Sequence, residues 1–116
     1  MTLRQRQSLF ATLIAHLIQH MNAKGYEVTF GEFWRPPEMV AMYTADGRGS
    51  STSLHPDRLA ADLNLFKDGA WLRETEHHRE FGEFWKNLHP DCRWGGDFSG
   101  RPDGNHYSMT PDGKRA

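Results

Sequence analysis

The segment Ser53-Leu54-His55-Pro56-Asp57-Arg58-Leu59-Ala60-Ala61-Asp62, taken together with Asp103-Gly104-Asn105-His106 near the C-terminus, is the most informative part of the sequence. His55, Asp62 and His106 offer two imidazoles and one carboxylate. Such a set leaves one tetrahedral position open, which is how a catalytic zinc ion retains an activated water molecule. We therefore predict one zinc ion held by these three residues, with Asp103 as the base beside it.

The chain between the predicted ligands allows them to meet. Seven residues of extended strand would separate His55 from Asp62 by roughly 23 Å, whereas donor atoms on one zinc ion are about 3–4 Å apart. Pro56 and Asp57 are common turn residues. The chain can therefore turn after His55 and return Asp62 to the metal on a strand, where the small side chain of Ala60 leaves room for the ion.

The spacing of these residues resembles that of the M15 family of peptidoglycan metallopeptidases. Ser-x-His at Ser53 and His55 is followed after six residues by Asp62, and Asp-x-x-His at 103–106 is preceded by Trp94-Gly95-Gly96-Asp97-Phe98. The family includes D-alanyl-D-alanine carboxypeptidases and phage L-alanyl-D-glutamate endopeptidases. The resemblance implies hydrolysis by a zinc-activated water molecule, with Asp103 as general base.

The resemblance also implies roles for residues outside the predicted ligand set. Arg35 lies just before Pro36-Pro37, where M15 proteins similarly carry an arginine, and would stabilise the substrate carbonyl oxygen or bind a substrate carboxylate. Ser53 matches the serine of the family and would contact the substrate. Arg58 departs from the family, which often has glycine at this position. Asp97 competes with Asp103 for the role of base, because the two are close in sequence.

Composition limits the kind of protein that this chain can be. Its 116 residues, 37% of them hydrophobic, suffice for one modest core, so residues 1–116 are predicted to form a single domain. The M15 resemblance implies that this is a zinc peptidase domain. The formal charge of −1 disfavours a nucleic-acid partner or an anionic membrane surface. Cys92 is the only cysteine, which excludes an internal disulfide and a thiolate-rich metal site.

The N-terminal region lacks the pattern of an export signal. Arg4 and Arg6 precede an apolar stretch, but His16, Gln19 and His20 interrupt it and no small-residue cleavage site follows. No stretch approaches the roughly 20 apolar residues that span a bilayer. We expect a monomer without stable membrane association, which stays in the cytoplasm until another component releases it to the cell wall or periplasm.

Hydrophobic periodicity and turn residues predict a mixture of helices and strands. The predicted helices are Leu3 to Lys24, Pro36 to about Ala45, and Glu74 to Leu88. The predicted strands are Tyr26 to Phe33, Leu59 to Phe66 (ended by a turn at Lys67-Asp68-Gly69), and Asn105 to Met109. Alternation on the second strand places Asp62 on the face opposite the aliphatic core. The M15 resemblance implies an α+β fold with helices packed on a small antiparallel sheet, as in zinc domains of the Hedgehog and D-alanyl-D-alanine peptidase type.

The remaining histidines are predicted to have no catalytic role. His16 and His20 are one helical turn apart, but His-Leu-Ile-Gln-His lacks the glutamate that follows the first histidine in H-E-x-x-H metalloproteases. His77 and His78 are neighbours on a predicted helix and point in different directions. We predict that both are solvated.

The M15 resemblance implies an enzyme that hydrolyses peptidoglycan stem peptides. The Trp94-to-Phe98 segment is similar to that of phage endolysins, which favours the L-alanyl-D-glutamate bond and a lysis enzyme, although a packed indole in a tight turn explains Trp94-Gly95-Gly96 equally well. A D-alanyl-D-alanine carboxypeptidase is the alternative within the same chemistry. A non-catalytic zinc domain that binds cell wall or a protein partner is the alternative from another class. Asp103 opposes it, because a structural zinc site needs no carboxylate beside an open position.

Overall fold

The structure is a computed structural model, and it describes residues 1–33 and 57–110. The predicted helix from Pro36 to Ala45 lies outside the described residues. So do three of the predicted site residues, Arg35, Ser53 and His55. The described part contains the other predicted ligands and both candidate bases.

The N-terminal helix α1 spans Leu3–Ala23, close to the predicted bounds. Thr2 and Gln5 form a capping box, in which each side chain accepts a hydrogen bond from the backbone N–H of the other. The apolar residues that recur at helical spacing form the buried face: Phe10, Leu13, Ile14, Leu17 and Met21. Within residues 1–33 and 57–110, no helix combines the length and the apolar character needed to cross a membrane.

In the described part of the chain, five antiparallel strands form the sheet on which the helices pack. They are β1 (Glu27–Phe30), β2 (Ala60–Lys67), β3 (Ala70–Leu72), β4 (Cys92–Trp94) and β5 (His106–Met109). The central strand is β2, which pairs with β1 along one side. Along its other side, residues 60–62 pair with β5 and residues 65–67 pair with β3. Beyond β5 lies β4. The antiparallel sheet and packed helices confirm the predicted α+β fold.

Strand β2 has the alternation that the sequence predicts. Ala61, Leu63 and Leu65 are fully buried on the core side, whereas Asp62 and Asn64 are half-buried on the opposite face. The strand ends in a tight turn in which Asp68 and Gly69 both have positive φ, at 53° and 81°. Two such residues favour a two-residue hairpin, and the chain indeed returns as β3.

The predicted helix from Glu74 to Leu88 is divided in two. Thr75–His78 forms a 3₁₀ turn, and helix α2 follows over Arg79–Lys86. The short strands β3 and β4 are also additions to the predicted elements. Each has only three residues, too few to show a period of two in the sequence.

His78 is buried, so the prediction that it is solvated is wrong. The side chain is 1% exposed and its Nδ1 lies 2.7 Å from the Tyr107 hydroxyl oxygen. Burial lowers the pKa of His78 to about 4, with the neighbouring His77 as a smaller cause, and burial raises the pKa of Tyr107 well above its ordinary value. His77 and His78 do point in different directions. The 3₁₀ turn directs one of them into the core and leaves His77 exposed, where it accepts a hydrogen bond from the Glu74 N–H.

Candidate metal and catalytic site

Asp62 is held from both sides near the start of β2. On the β1 side, its N–H donates to the Glu32 carbonyl and its carbonyl accepts from the Gly31 N–H, both at 2.8 Å. On the other side, Asp62 lies opposite His106 of β5. A Cβ atom at Gly31 would stand 3.0 Å from the Asp62 Cβ. Glycine therefore lets the chain after β1 approach Asp62 closely.

Three possible metal-ligating side chains meet at this point of the sheet. One donor atom from each of Asp62, Asp103 and His106 lies within 4.8 Å of the others, and this is the single group of its kind among the described residues. His106 Nδ1 is 3.3 Å from Asp62 Oδ1. His106 is buried, Asp62 is half-buried and Asp103 is exposed. The Asp62–Asp103–His106 group is therefore open to solvent on the Asp103 side.

Two donor atoms of this group, on Asp62 and His106, have the spacing that zinc ligands require. Zinc binds histidine nitrogen and carboxylate oxygen at about 2.0–2.2 Å, so two donors on one tetrahedral ion are about 3.4 Å apart. The separation of 3.3 Å between His106 and Asp62 matches that spacing. Of the three predicted ligands, the structure brings Asp62 and His106 together, and His55 lies outside the described residues.

Gly95 holds the segment that carries Asp103 and His106. The Gly95 carbonyl accepts hydrogen bonds from the Phe98 and Asp103 N–H groups, at 3.1 and 2.9 Å, and the Asp103 carbonyl accepts from the His106 N–H at 3.1 Å. A Cβ atom at Gly95 would overlap the Asp103 carbonyl oxygen and stand 2.8 Å from the His106 Cβ. Only glycine therefore fits at this position without displacing the two site residues.

Trp94 is a packed indole. Its side chain is 1% exposed, and a Cβ atom at either Gly82 or Gly96 would overlap the ring. The indole Nε1 donates to the Gly104 carbonyl at 2.7 Å. This hydrogen bond from Trp94 holds the loop that leads to His106. Trp94 is followed by a 3₁₀ turn over Gly95–Asp97.

Asp97 lies outside the Asp62–Asp103–His106 group. Its Oδ2 accepts a hydrogen bond from Lys86 Nζ at 2.7 Å, and Lys86 also pairs with Glu83 at 2.7 Å. These two hydrogen bonds, that of Asp97 first, raise the pKa of Lys86. Of the two candidate bases, Asp103 is the one beside Asp62 and His106.

Phe98 contacts His106 of the site, although the amino-acid sequence predicts no role for this residue. The ring centroids of Phe98 and His106 are 5.4 Å apart, with an angle of 55° between the planes. The phenyl ring therefore limits the space in which the imidazole can turn. An aromatic residue eight positions before a predicted ligand carries no spacing signal, so only the folded loop reveals this contact.

His16 and His20 take no part in a metal site within the described residues. No group of three ligands there includes either of them. The His20 ring stacks on Phe84, with centroids 3.8 Å apart and planes at 1°, and meets the edge of Phe81 at 5.9 Å. His20 therefore joins helix α1 to helix α2.

Comparison with known proteins identifies the family of this chain and a solved structure with a similar fold. Residues 46–109, more than half of the chain, match the model of a peptidase M15 family described as D-alanyl-D-alanine carboxypeptidase. No curated protein sequence matches the chain. The structure is similar to that of the L-Ala D-Glu endopeptidase ChiX of Serratia marcescens, with a TM-score of 0.68 and 17% identity over 86% of this chain and 79% of that chain. At this identity the likeness concerns the fold. By its sequence match, the chain belongs to the M15 family of peptidoglycan peptidases.

Proposed function

We propose that this protein is a zinc-dependent endopeptidase that cleaves the L-alanyl-D-glutamate bond of peptidoglycan stem peptides. The observation that carries the proposal is the Asp62–Asp103–His106 group, which joins two zinc-compatible donors to a solvent-exposed carboxylate in an M15 chain. The fold shared with an L-Ala D-Glu endopeptidase supports the choice of bond. We further propose a phage-type lysis role, in which another component gives the enzyme access to the cell wall.

In this proposal His55, Asp62 and His106 hold the ion. When bound, zinc supplies Lewis acidity to the substrate carbonyl and to a water molecule. The backbone of Asp62 is hydrogen-bonded to the segment after β1, and His106 is buried against Phe98. Donors that the fold already holds in place need little rearrangement to bind a metal.

Asp103 acts as the general base. Its exposed carboxylate lies beside both Asp62 and His106, so it can take a proton from a water molecule at the site and transfer it to the leaving amine. The hydrogen bonds of its N–H to Gly95 and of its carbonyl to His106 hold its backbone. Direct coordination by Asp103 is the competing role, and the zinc content of an Asp103 variant separates the two.

Arg35 and Ser53 complete the proposed site. Arg35 would stabilise the carbonyl oxygen or bind a substrate carboxylate, and Ser53 would contact the substrate. Both residues lie outside the described part of the chain. Their proposed roles rest on the resemblance to the M15 sequence pattern.

The products of peptidoglycan digestion test the choice of bond. An endopeptidase must accept chain on both sides of the scissile bond, whereas a carboxypeptidase must recognise a free terminal carboxylate. We expect mass spectrometry to find new N-terminal D-glutamyl ends after digestion by zinc-loaded protein. Release of free D-alanine without such ends would favour the carboxypeptidase named by the family model. Binding to peptidoglycan with no cleavage would favour a non-catalytic zinc domain.

A further inference from the structure

The sheet face that carries the candidate site continues to an exposed aromatic pair. Side chains alternate along a strand, so Asp62, Asn64 and Phe66 share one face of β2. Trp71 of β3 lies directly opposite Phe66 and so shares that face, as His106 does opposite Asp62. Trp71 is 51% exposed and Phe66 is half-buried. The site and the aromatic pair therefore belong to one continuous surface.

Phe66 and Trp71 form a stacked aromatic pair. Their ring planes differ by 18° and their centroids are 6.1 Å apart. Because atoms in van der Waals contact are about 3.5–4 Å apart, rings with this centroid separation are displaced sideways. The Arg73 guanidinium lies 5.0 Å from the Trp71 ring centroid. We call Phe66, Trp71 and Arg73 the aromatic platform.

The platform lies at a defined distance from the site. Four residues along β2 separate Phe66 from Asp62, which corresponds to about 13 Å at about 3.3 Å per residue. Asn64 lies between them, and its Oδ1 accepts a hydrogen bond from Asn105 Nδ2 at 3.4 Å. A ligand that extends from the site along this face would meet amide groups first and the aromatic rings next.

We propose that the aromatic platform binds a sugar ring of the glycan strand to which the stem peptide is attached. This inference rests on the proposed function and names the substrate that the site prefers. The face of a pyranose ring presents C–H groups, which pack well against the negatively charged face of an aromatic ring. Arg73 offers donors to the hydroxyl and acetamido oxygens of the sugar. The stem peptide beyond the scissile bond is acyclic and anionic, so contact with the Phe66 and Trp71 rings would contribute little to its binding.

The length of the substrate agrees with this position. One alanyl residue and the lactyl group of muramic acid separate the L-alanyl carbonyl from the sugar, which is two residue lengths, or about 7 Å. The first sugar ring begins at about this distance, and the second sugar ring follows it. The disaccharide therefore covers the distance at which the platform lies. A D-alanyl-D-alanine bond is five residue lengths from the sugar, about 17 Å. The platform therefore suits cleavage next to the glycan.

The experiment compares one bond in two contexts. The substrates are the disaccharide tetrapeptide and the same tetrapeptide with its N-terminus acetylated and no sugar. We expect Trp71→Ala to lower kcat/KM about tenfold on the disaccharide substrate, equivalent to about 1.4 kcal/mol, and to leave kcat/KM on the acetylated peptide unchanged. Trp71→Phe should retain most of the preference for the sugar.

Phe30 provides a matched control. It is 66% exposed but lies opposite Leu63, whose side chain is in the core, so it belongs to the other face of the sheet. Phe30→Ala should change neither rate. A second measurement, binding to glycan strands stripped of their peptides, needs no catalysis, and Trp71→Ala should weaken this binding while Phe30→Ala does not.

The outcomes separate the two proposals. If the wild-type enzyme cleaves neither substrate, the proposed function fails, and the binding of stripped glycan still decides whether the platform recognises sugar. If Trp71→Ala lowers both rates equally, or neither rate, or leaves glycan binding unchanged while circular dichroism shows an intact fold, the sugar subsite is wrong.

Discussion

His106 and Tyr107 are neighbours on β5, yet they belong to opposite faces of the sheet and have opposite surroundings. His106 lies 3.3 Å from Asp62 on the face that holds the exposed Asp103. Tyr107 lies 2.7 Å from His78 in the core, where burial lowers the pKa of His78 to about 4. One strand therefore carries a polar pair suited to metal chemistry and, one residue later, a neutral polar pair that acts on stability.

The largest expected effect comes from removing His106, a proposed zinc ligand. His106→Ala should lose nearly all bound zinc and all measurable hydrolysis, because two donors hold a catalytic zinc ion poorly without a third. Metal analysis of purified protein measures the loss. His16→Ala is the control, since His16 is exposed on α1 and belongs to no described ligand group. Full zinc occupancy in His106→Ala would remove His106 from the ligand set.

The next effect separates the base from the ligands. Asp103→Asn keeps nearly the same shape but cannot accept a proton, and general acid and base assistance is worth about 10²–10⁴-fold. Hydrolysis should therefore fall about 100-fold or more while the zinc content stays the same. Asp97→Asn should leave activity largely intact, because Asp97 pairs with Lys86. Loss of zinc from Asp103→Asn would make Asp103 a ligand, and near wild-type activity would transfer the search for the base to Asp97.

The third prediction tests the core face through pH. The folded-state pKa of His78 is about 4 and its ordinary value is 6.5, so the unfolded chain binds more protons between these values and stability falls as pH falls. From pH 7 to pH 5 the loss due to His78 should be about 2 kcal/mol. His78→Asn preserves a hydrogen-bonding partner for Tyr107 but does not titrate. The stability difference between wild type and His78→Asn should therefore shift by that amount.

Urea unfolding at several pH values measures this shift. His77→Asn is the matched control, because His77 is exposed and is only the smaller cause of the lowered pKa of His78. Parallel stability curves for wild type and His78→Asn would show that His78 titrates normally in the folded protein.

Sequence patterns predict the two faces of β2 well, because alternation over eight residues is a strong signal. The position of Asp62 follows from that signal, and the match of Asp-x-x-His to the family pattern points to His106. Burial of His78 could not be predicted in this way. It depends on a 3₁₀ turn and on Tyr107, which is 29 residues away in the chain.

The aromatic platform could not be predicted from the sequence either, because it also depends on how the chain folds. Lys67-Asp68-Gly69 predicts the turn, but the pairing of Phe66 with Trp71 requires a return strand of only three residues, which has no signal in the sequence. The role of Gly95 is likewise a consequence of tertiary structure, since a Cβ atom there meets Asp103 and His106 only after the loop has folded. Local patterns thus predict which face a residue occupies, and long-range pairing decides which residues it meets there.

The smallest expected effect concerns Phe98, whose ring contacts the imidazole of His106. Aromatic contacts of this kind contribute about 0.5–1.5 kcal/mol, so Phe98→Ala should weaken zinc binding by about three- to tenfold, as 1.4 kcal/mol corresponds to about tenfold. Competition with a chromophoric chelator measures the zinc Kd, and Phe30→Ala controls for the loss of a phenyl ring elsewhere. Since Phe98 donates no ligand, zinc content at saturation should stay the same and only the affinity should change. An unchanged Kd would mean that β5 and the Gly95 turn orient His106 without help from Phe98. The difference between His106 and Tyr107 in their suitability for binding zinc would then depend on backbone geometry alone.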